Sequence, residues 1–156
     1  MKKRTGPMAP HECEMTRWLM DAVTMCTGQV TALVGSVRQQ AGLPDRHICH
    51  EALRGGQAWV EFKREGNDLS GAQKLWMRRA LAHGAFVCVA TFMRDGTIRL
   101  RVLGHEQQFV MTQTVAQMKA AAAALDRPGL PGKEFVRAVR TVQDWWEDLR
   151  FKAKRA

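Results

Sequence analysis

Two glycine-marked turns, Arg54-Gly55-Gly56 and Asp95-Gly96, each part a pair of β-rich runs, and a segment with helix start and stop signals lies between the two pairs. Residues 47–53 and 57–63 flank the first turn and residues 85–93 and 97–103 the second. Each set is expected to pair as an antiparallel hairpin, the second around a two-residue loop. Between them Ser70 suits an N-cap, Gln73 stands where a capping box wants its polar partner, and Gly84 supplies the stop, which predicts a helix over 70–83. A helix crossing from one hairpin to another needs a sheet to lie on, which excludes both an all-helical bundle and an all-β barrel.

The flanking segments add helices. Met15, Trp18, Leu19, Ala22, Val23 and Cys26 recur at helical spacing ahead of Gly28, giving an amphipathic helix over 12–26. Residues 29–34 read as a short strand, and residues 35–42 as a loop that ends at Leu43-Pro44-Asp45. Residues 114–125, with five consecutive alanines, are helical, and Arg127-Pro128-Gly129-Leu130-Pro131-Gly132 breaks the chain before a last helix from about 133 to 151. The fold class is therefore α/β or α+β, with α/β preferred: a mixed central sheet flanked by helices with a C-terminal helical extension. At 156 residues there is no room for two full cores. The expected organisation is a lead-in over 1–11, a core over 12–104 and the extension over 105–156.

Charge bears on partners. Lys and Arg number 24 against 15 Asp and Glu, a formal charge of +9, which favours a polyanion, with nucleic acid ahead of a membrane surface. No run approaches the roughly 18 apolar residues that cross a bilayer, and the Met1-Lys2-Lys3-Arg4 start leads into no apolar signal core, so a cytoplasmic protein without membrane contact is expected. The four cysteines lack the dense spacing of a disulfide scaffold and read as reduced thiols.

The chemistry is concentrated between residues 42 and 73. Asp45 follows a proline at a strand entrance, and sixteen residues later comes Glu61-Phe62-Lys63. Strand alternation puts Glu61 and Lys63 on one face and Ala58, Val60 and Phe62 on the other, toward a core. If Asp45 reaches the first face, two carboxylates can hold Mg²⁺ beside an ammonium, a constellation suited to phosphodiester hydrolysis. Parity sets a condition. A two-residue loop at Gly55-Gly56 would place Glu61 opposite His50 and Asp45 on the wrong face, so an odd-numbered loop or a bulge is predicted.

Gly42-Leu43-Pro44-Asp45, Glu61-Phe62-Lys63, Ser70-Gly71-Ala72-Gln73 and Gly84-Ala85-Phe86-Val87-Cys88-Val89 follow one another in an order that resembles the PD-(D/E)xK nuclease signature. More specifically, the series is similar to the virus-type replication-repair nuclease (VRR-NUC) family, over roughly residues 10 to 93. The resemblance implies a restriction-endonuclease-like core and a metal-dependent DNA endonuclease. Asp45, Glu61 and Phe62 would bind Mg²⁺, with Mn²⁺ as substitute, Lys63 would handle the attacking water, and Glu12 and Gln73 would support the site. Of the two first-helix acids, Glu12 lies nearer the apolar face than Glu14 when about 100° is stepped per residue. The family usually carries Gln four positions after that acid, where this chain has Thr16. Standalone members resemble Holliday-junction resolvases and act as dimers, fused versions cut flapped DNA, and a chain this short resembles the standalone kind found in phages and prophages. Branched DNA is the implied substrate, in the setting of DNA repair, and a homodimer is expected. The alternative is a DNA-binding protein that keeps the fold without cutting.

Other residues have plainer readings. His47, Cys49 and His50, with His11 and Cys13, match no closed tetrahedral zinc spacing. Arg78, Arg79, Arg94, Arg99 and Arg101 are candidates for phosphate contact, with Arg99 and Arg101 on one strand face. Trp145 and Trp146, with Phe135, Val139, Val142 and Leu149, are expected to pack the last helix against the domain or a second subunit.

Overall fold

The fold is taken from a computed structural model that describes residues 12–32 and 42–155, without the side chains of Glu12, Cys13 and Ala32. The expected lead-in over 1–11 and most of the loop over 35–42 lie outside the described residues. The elements are α1 (Glu12–Met25), β1 (Gln29–Ala32), β2 (Arg46–Cys49), a 3₁₀ turn (Arg54–Gly56), β3 (Gln57–Arg64), α2 (Gly71–Ala82), β4 (Val87–Phe92), β5 (Ile98–Arg101), β6 (Gln108–Val110), α3 (Val115–Ala124) and α4 (Leu130–Arg155). The six strands stand in sequence order in one sheet, antiparallel except where α2 carries the chain over from β3 to a parallel β4. This is the mixed α/β sheet with flanking helices and a C-terminal helix that the sequence leads one to expect.

Period-two alternation decides the layers. Ala58, Val60 and Phe62 of β3, Cys88, Ala90 and Phe92 of β4, and Ile98 and Leu100 of β5 face a core built with α1 and α4, where each is buried. Phe62 lies between Phe92 and Phe135, with ring centroids 5.6 and 5.9 Å away. Phe135, Val139, Val142 and Trp146 of α4 are buried there too, so the aromatic stripe of the last helix seals the same core as α1. The opposite face of the sheet carries α2, whose Met77 packs on Val87 and Val89.

The α2 signals work as the sequence implies. Ser70 accepts from the Gln73 N–H while the Gln73 side chain accepts from the Ser70 N–H, closing a capping box, and Gly84 takes a left-handed φ of 86° just beyond the C-cap.

Four expectations need correction. The first hairpin does not turn at Arg54-Gly55-Gly56 alone: β2 ends at Cys49, and residues 50–56 form the connection. His50 ends the strand because its Nδ1 accepts from the Ala52 N–H and its carbonyl from the Leu53 N–H, a local alternative to the ladder. The second hairpin has a three-residue loop, Arg94-Asp95-Gly96, closed by Gly96 N–H to Met93 O with Gly96 at φ 86°, the turn-plus-bulge geometry of such loops. The last helix begins at Leu130 rather than near 133, because a proline in the first helical turn gives up no intrahelical bond. Gly132 serves packing there: a Cβ on it would stand 2.2 Å from the Ala22 carbonyl oxygen of α1. Finally, β6 was not expected; its three residues pair with β5 from Arg99↔Val110 to Arg101↔Gln108.

Candidate active site

The β2–β3 register settles the parity condition. Arg46 pairs with Val60 and Cys49 with Gln57, so residues 50–56 make an odd-numbered connection, and one further step puts Asp45 directly opposite Glu61. Residues opposite one another point to the same face, here the face that carries Lys63 and α2.

The side chains close on one another. The Glu61 Oε2 accepts the Asp45 N–H at 3.0 Å, and the Asp45 Oδ2 accepts the Phe62 N–H at 3.0 Å. Glu61 Oε1 takes the Lys63 ammonium at 3.1 Å and a hydrogen bond donated by Gln73 Nε2. Gln73 thus serves the capping box with its oxygen and the carboxylate with its nitrogen. Phe62 is buried in the core, but its N–H faces Asp45, and the N–H and C=O of a strand residue point toward the same neighbour. Its carbonyl therefore looks out on the acidic side beyond the end of the β2 ladder.

Gly42 sets the height of the loop that carries Asp45. Its φ is +92°, and a Cβ there would lie 2.3 Å from the carbonyl oxygen of Ala72 and 2.5 Å from its carbon. The backbone of the Asp45 loop rests against the first turn of α2, one residue from Gln73. A glycine is required both for the dihedral and for the approach.

The electrostatics follow from burial. Glu61 is 1% exposed, and its pKa is raised to about 7, first by desolvation and then by the Asp45 charge, with Lys63 and the Asp45 N–H pulling it back. Two carboxylates share a poorly solvated site with one ammonium, a donor set whose mutual repulsion a hard divalent cation relieves. Among the described residues no three His, Cys, Asp or Glu side chains converge, so oxygen ligands beyond Asp45 and Glu61 would come from the main chain, as at Phe62.

Glu12 opens α1, and its side chain lies outside the described residues; Glu14 is exposed and Thr16 buried. Among the described zinc candidates, His47 Nδ1 lies 3.9 Å from Cys49 Sγ while its Nε2 meets Gln57 Oε1 at 2.9 Å, and His50 turns its Nε2 to the Cys26 carbonyl oxygen at 3.1 Å; His11 and the Cys13 side chain lie outside the described residues.

Sequence reading missed Gln143. It is 1% exposed on α4; its Oε1 accepts the Arg54 N–H at 2.8 Å, and its Nε2 donates to Gln57 O at 3.0 Å and Arg54 O at 3.4 Å. It fastens the end of the odd-numbered connection, and Asp144 holds the Arg54 side chain beside it. The available signal was a lone amide among Phe135, Val139, Val142 and Trp146 on a helix face otherwise apolar.

One similar chain is a VRR-NUC domain, 25% identical over 50% of this chain and 81% of that one, with a TM-score of 0.42. This chain is similar to a VRR-NUC domain. A second similar structure is Hjc, a Holliday junction resolvase from the archaeal hyperthermophile Archaeoglobus fulgidus, 15% identical over 69% of this chain and 92% of that one, with a TM-score of 0.45. No family model matches the chain, and no curated protein does. Gly42, Asp45, Glu61, Lys63 and Gln73, spread over the sequence, adjoin across β2, β3 and the start of α2.

Proposed function

We propose that this chain is a metal-dependent DNA endonuclease that hydrolyses phosphodiester bonds in branched DNA. The observation that carries the reading is the β2–β3 register, which sets Asp45 opposite Glu61 with the Lys63 ammonium 3.1 Å from Glu61 Oε1. Asp45, Glu61 and the Phe62 carbonyl would hold Mg²⁺, or Mn²⁺ in its place. A bound ion of this kind supplies Lewis-acid polarisation of a phosphate oxygen and a lowered pKa for its water.

The chain's own groups do the rest. Gln73 and Lys63 fix the Glu61 carboxylate from two sides, and the Phe62 N–H fixes Asp45, so neither acid must reorganise when substrate arrives. Lys63 orients the attacking water and offsets the negative charge that grows on the phosphoryl oxygens. Water attacks phosphorus in line with the departing 3′ oxygen, the P–O3′ bond breaks, and the 3′ oxygen is protonated to a free hydroxyl. Glu12 enters through family resemblance alone, as a support from α1, and a homodimer would supply a second site for the opposite strand.

The test is cleavage of end-labelled four-way junction, flap and plain duplex with Mg²⁺ or Mn²⁺, wild type beside Lys63→Ala and Asp45→Ala. Cutting of a branched substrate by wild type alone, with binding kept in both variants, supports the reading. Binding with no cutting in either metal favours a non-catalytic DNA-binding protein.

A further inference from the structure

The sheet register carries charge sideways from the site. Lys63 of β3 lies opposite Thr91 of β4, which lies opposite Arg99 of β5, which lies opposite Val110 of β6. One row below, Glu61 is followed by Val89, Arg101 and Gln108. Arg99 and Arg101 therefore stand on the same face as the two carboxylates, two strands away, or about 10 Å.

The helix above adds a wall. Trp76 of α2 meets Trp59 of β3, with ring centroids 5.4 Å apart, so that flank of the helix faces β3. With Met77 pointing at the sheet and about 100° per residue, the opposite flank, toward β5, carries Lys74 and Arg78.

Arg54 and Arg140 are tied to Asp144, Arg137 to Glu134, Arg150 to Glu147 and Arg94 to Glu65, whereas Arg17, Arg46, Arg64, Arg79, Arg127 and Arg155 have no acid within salt-bridge distance among the described residues. Among the described residues, none of Lys74, Arg78, Arg99 and Arg101 forms an ion pair. The Arg99 Nε is buried without a hydrogen-bond partner, a donor whose burial costs free energy unless an acceptor reaches it. Asp95, on the β4–β5 turn, feels the Arg99 charge without a salt bridge between them.

We propose that Lys74, Arg78, Arg99 and Arg101 form a phosphate track that holds the sugar–phosphate backbone of one substrate arm as it leaves the cleavage site across β5. The partner's chemistry follows from the geometry: a row of anions at regular spacing, running across the strands from Lys63. Arg99 and Arg101 are two residues apart along β5, about 6.8 Å and at right angles to that run, so both can close on the backbone where it crosses the strand. The inference rests on the nuclease reading for where the track begins. Its surface, however, can be measured without cleavage.

The experiment is fluorescence anisotropy of a labelled four-way junction in EDTA, from 50 to 400 mM salt, with the full chain. Each phosphate contact contributes about 0.9 to the slope of log affinity against log salt. Arg99→Gln with Arg101→Gln should lower that slope by about 2, and Lys74→Gln with Arg78→Gln, on the helix surface, by about the same. Arg127→Gln, on the α3–α4 connection, should leave it unchanged. Arg99→Lys keeps the charge and should recover most of the slope, which separates phosphate contact from a folding defect. An unchanged slope in both double variants, or an equal loss in Arg127→Gln, overturns the track. If the slopes fall as stated but wild type cuts nothing in Mg²⁺ or Mn²⁺, the track stands and the nuclease reading falls. If wild type cuts and the slopes do not move, the reverse holds.

Discussion

Gly42→Ala is the sharpest single perturbation, because the added methyl meets backbone rather than a side chain that can rotate away. At φ +92° an L-residue is strained by about 1–2 kcal/mol. The new Cβ would also stand 2.3 Å from the Ala72 carbonyl oxygen, and relief to ordinary contact takes a displacement of roughly 1 Å, at an overpacking cost of about 1–3 kcal/mol. A total near 3 kcal/mol lowers Tm by roughly 6–12 °C in a chain of this size. The functional effect should be larger than the stability effect. Whichever side yields, the loop of Asp45 or the α2 turn of Gln73, a group that holds or faces Glu61 moves, and a misplacement of about 1 Å costs on the order of a hundredfold in rate. The assay is single-turnover cleavage at a temperature where circular dichroism finds the variant fully folded. Cleavage within a few-fold of wild type, with Tm unchanged, would refute the claim that the Gly42–Ala72 contact sets the site.

Three further outcomes follow from other parts of the structure. Glu61 has a pKa of about 7 when folded, against 4.5 ordinarily. Between those values the unfolded chain binds fewer protons than the folded one, so the metal-free protein loses stability as pH rises from about 4.5 to 7, on the order of 3 kcal/mol from this group. Urea midpoints in EDTA at pH 5 and pH 8 check the sign, and Glu61→Gln should flatten the difference. Gln143→Leu strands the Arg54 N–H and two carbonyls in a buried place and should cost about 2–4 kcal/mol by chemical denaturation, with cleavage falling further than the unfolded fraction explains. Thr27 holds a left-handed φ of 72° at the end of α1, so Thr27→Gly should stabilise by about 0.5–1 kcal/mol, read as a higher Tm with cleavage unaltered.

Legibility in the sequence tracked the range of the interactions. The capping box at Ser70 and Gln73, the alternation of β3 and the helical spacing of α1 are encoded within a few residues, and the structure repeats them. Turn lengths were less legible, because His50 and Asp95 redirect the backbone through their own side chains: Nδ1 of one accepts from Ala52, Oδ1 of the other from Thr97. The parity of Asp45 against Glu61 could be posed as a condition but not solved, since the connection that decides it is fastened by Gln143, 89 positions from Arg54. The same holds for Gly42 and Gly132. Each is a turn residue in the sequence, and each is needed because another helix's backbone passes within Cβ distance. The three residues of β6 had no signal of their own and exist because β5 offers them a ladder.

Asp45 and Glu61 are proposed to act as one cation site. Calorimetric titration of Mn²⁺ into the full chain at pH 8 addresses this directly, with Asp45→Asn and Glu61→Gln beside wild type. One site per chain, lost in both variants while each stays folded, is the predicted result. Undiminished Mn²⁺ binding in either variant would contradict it.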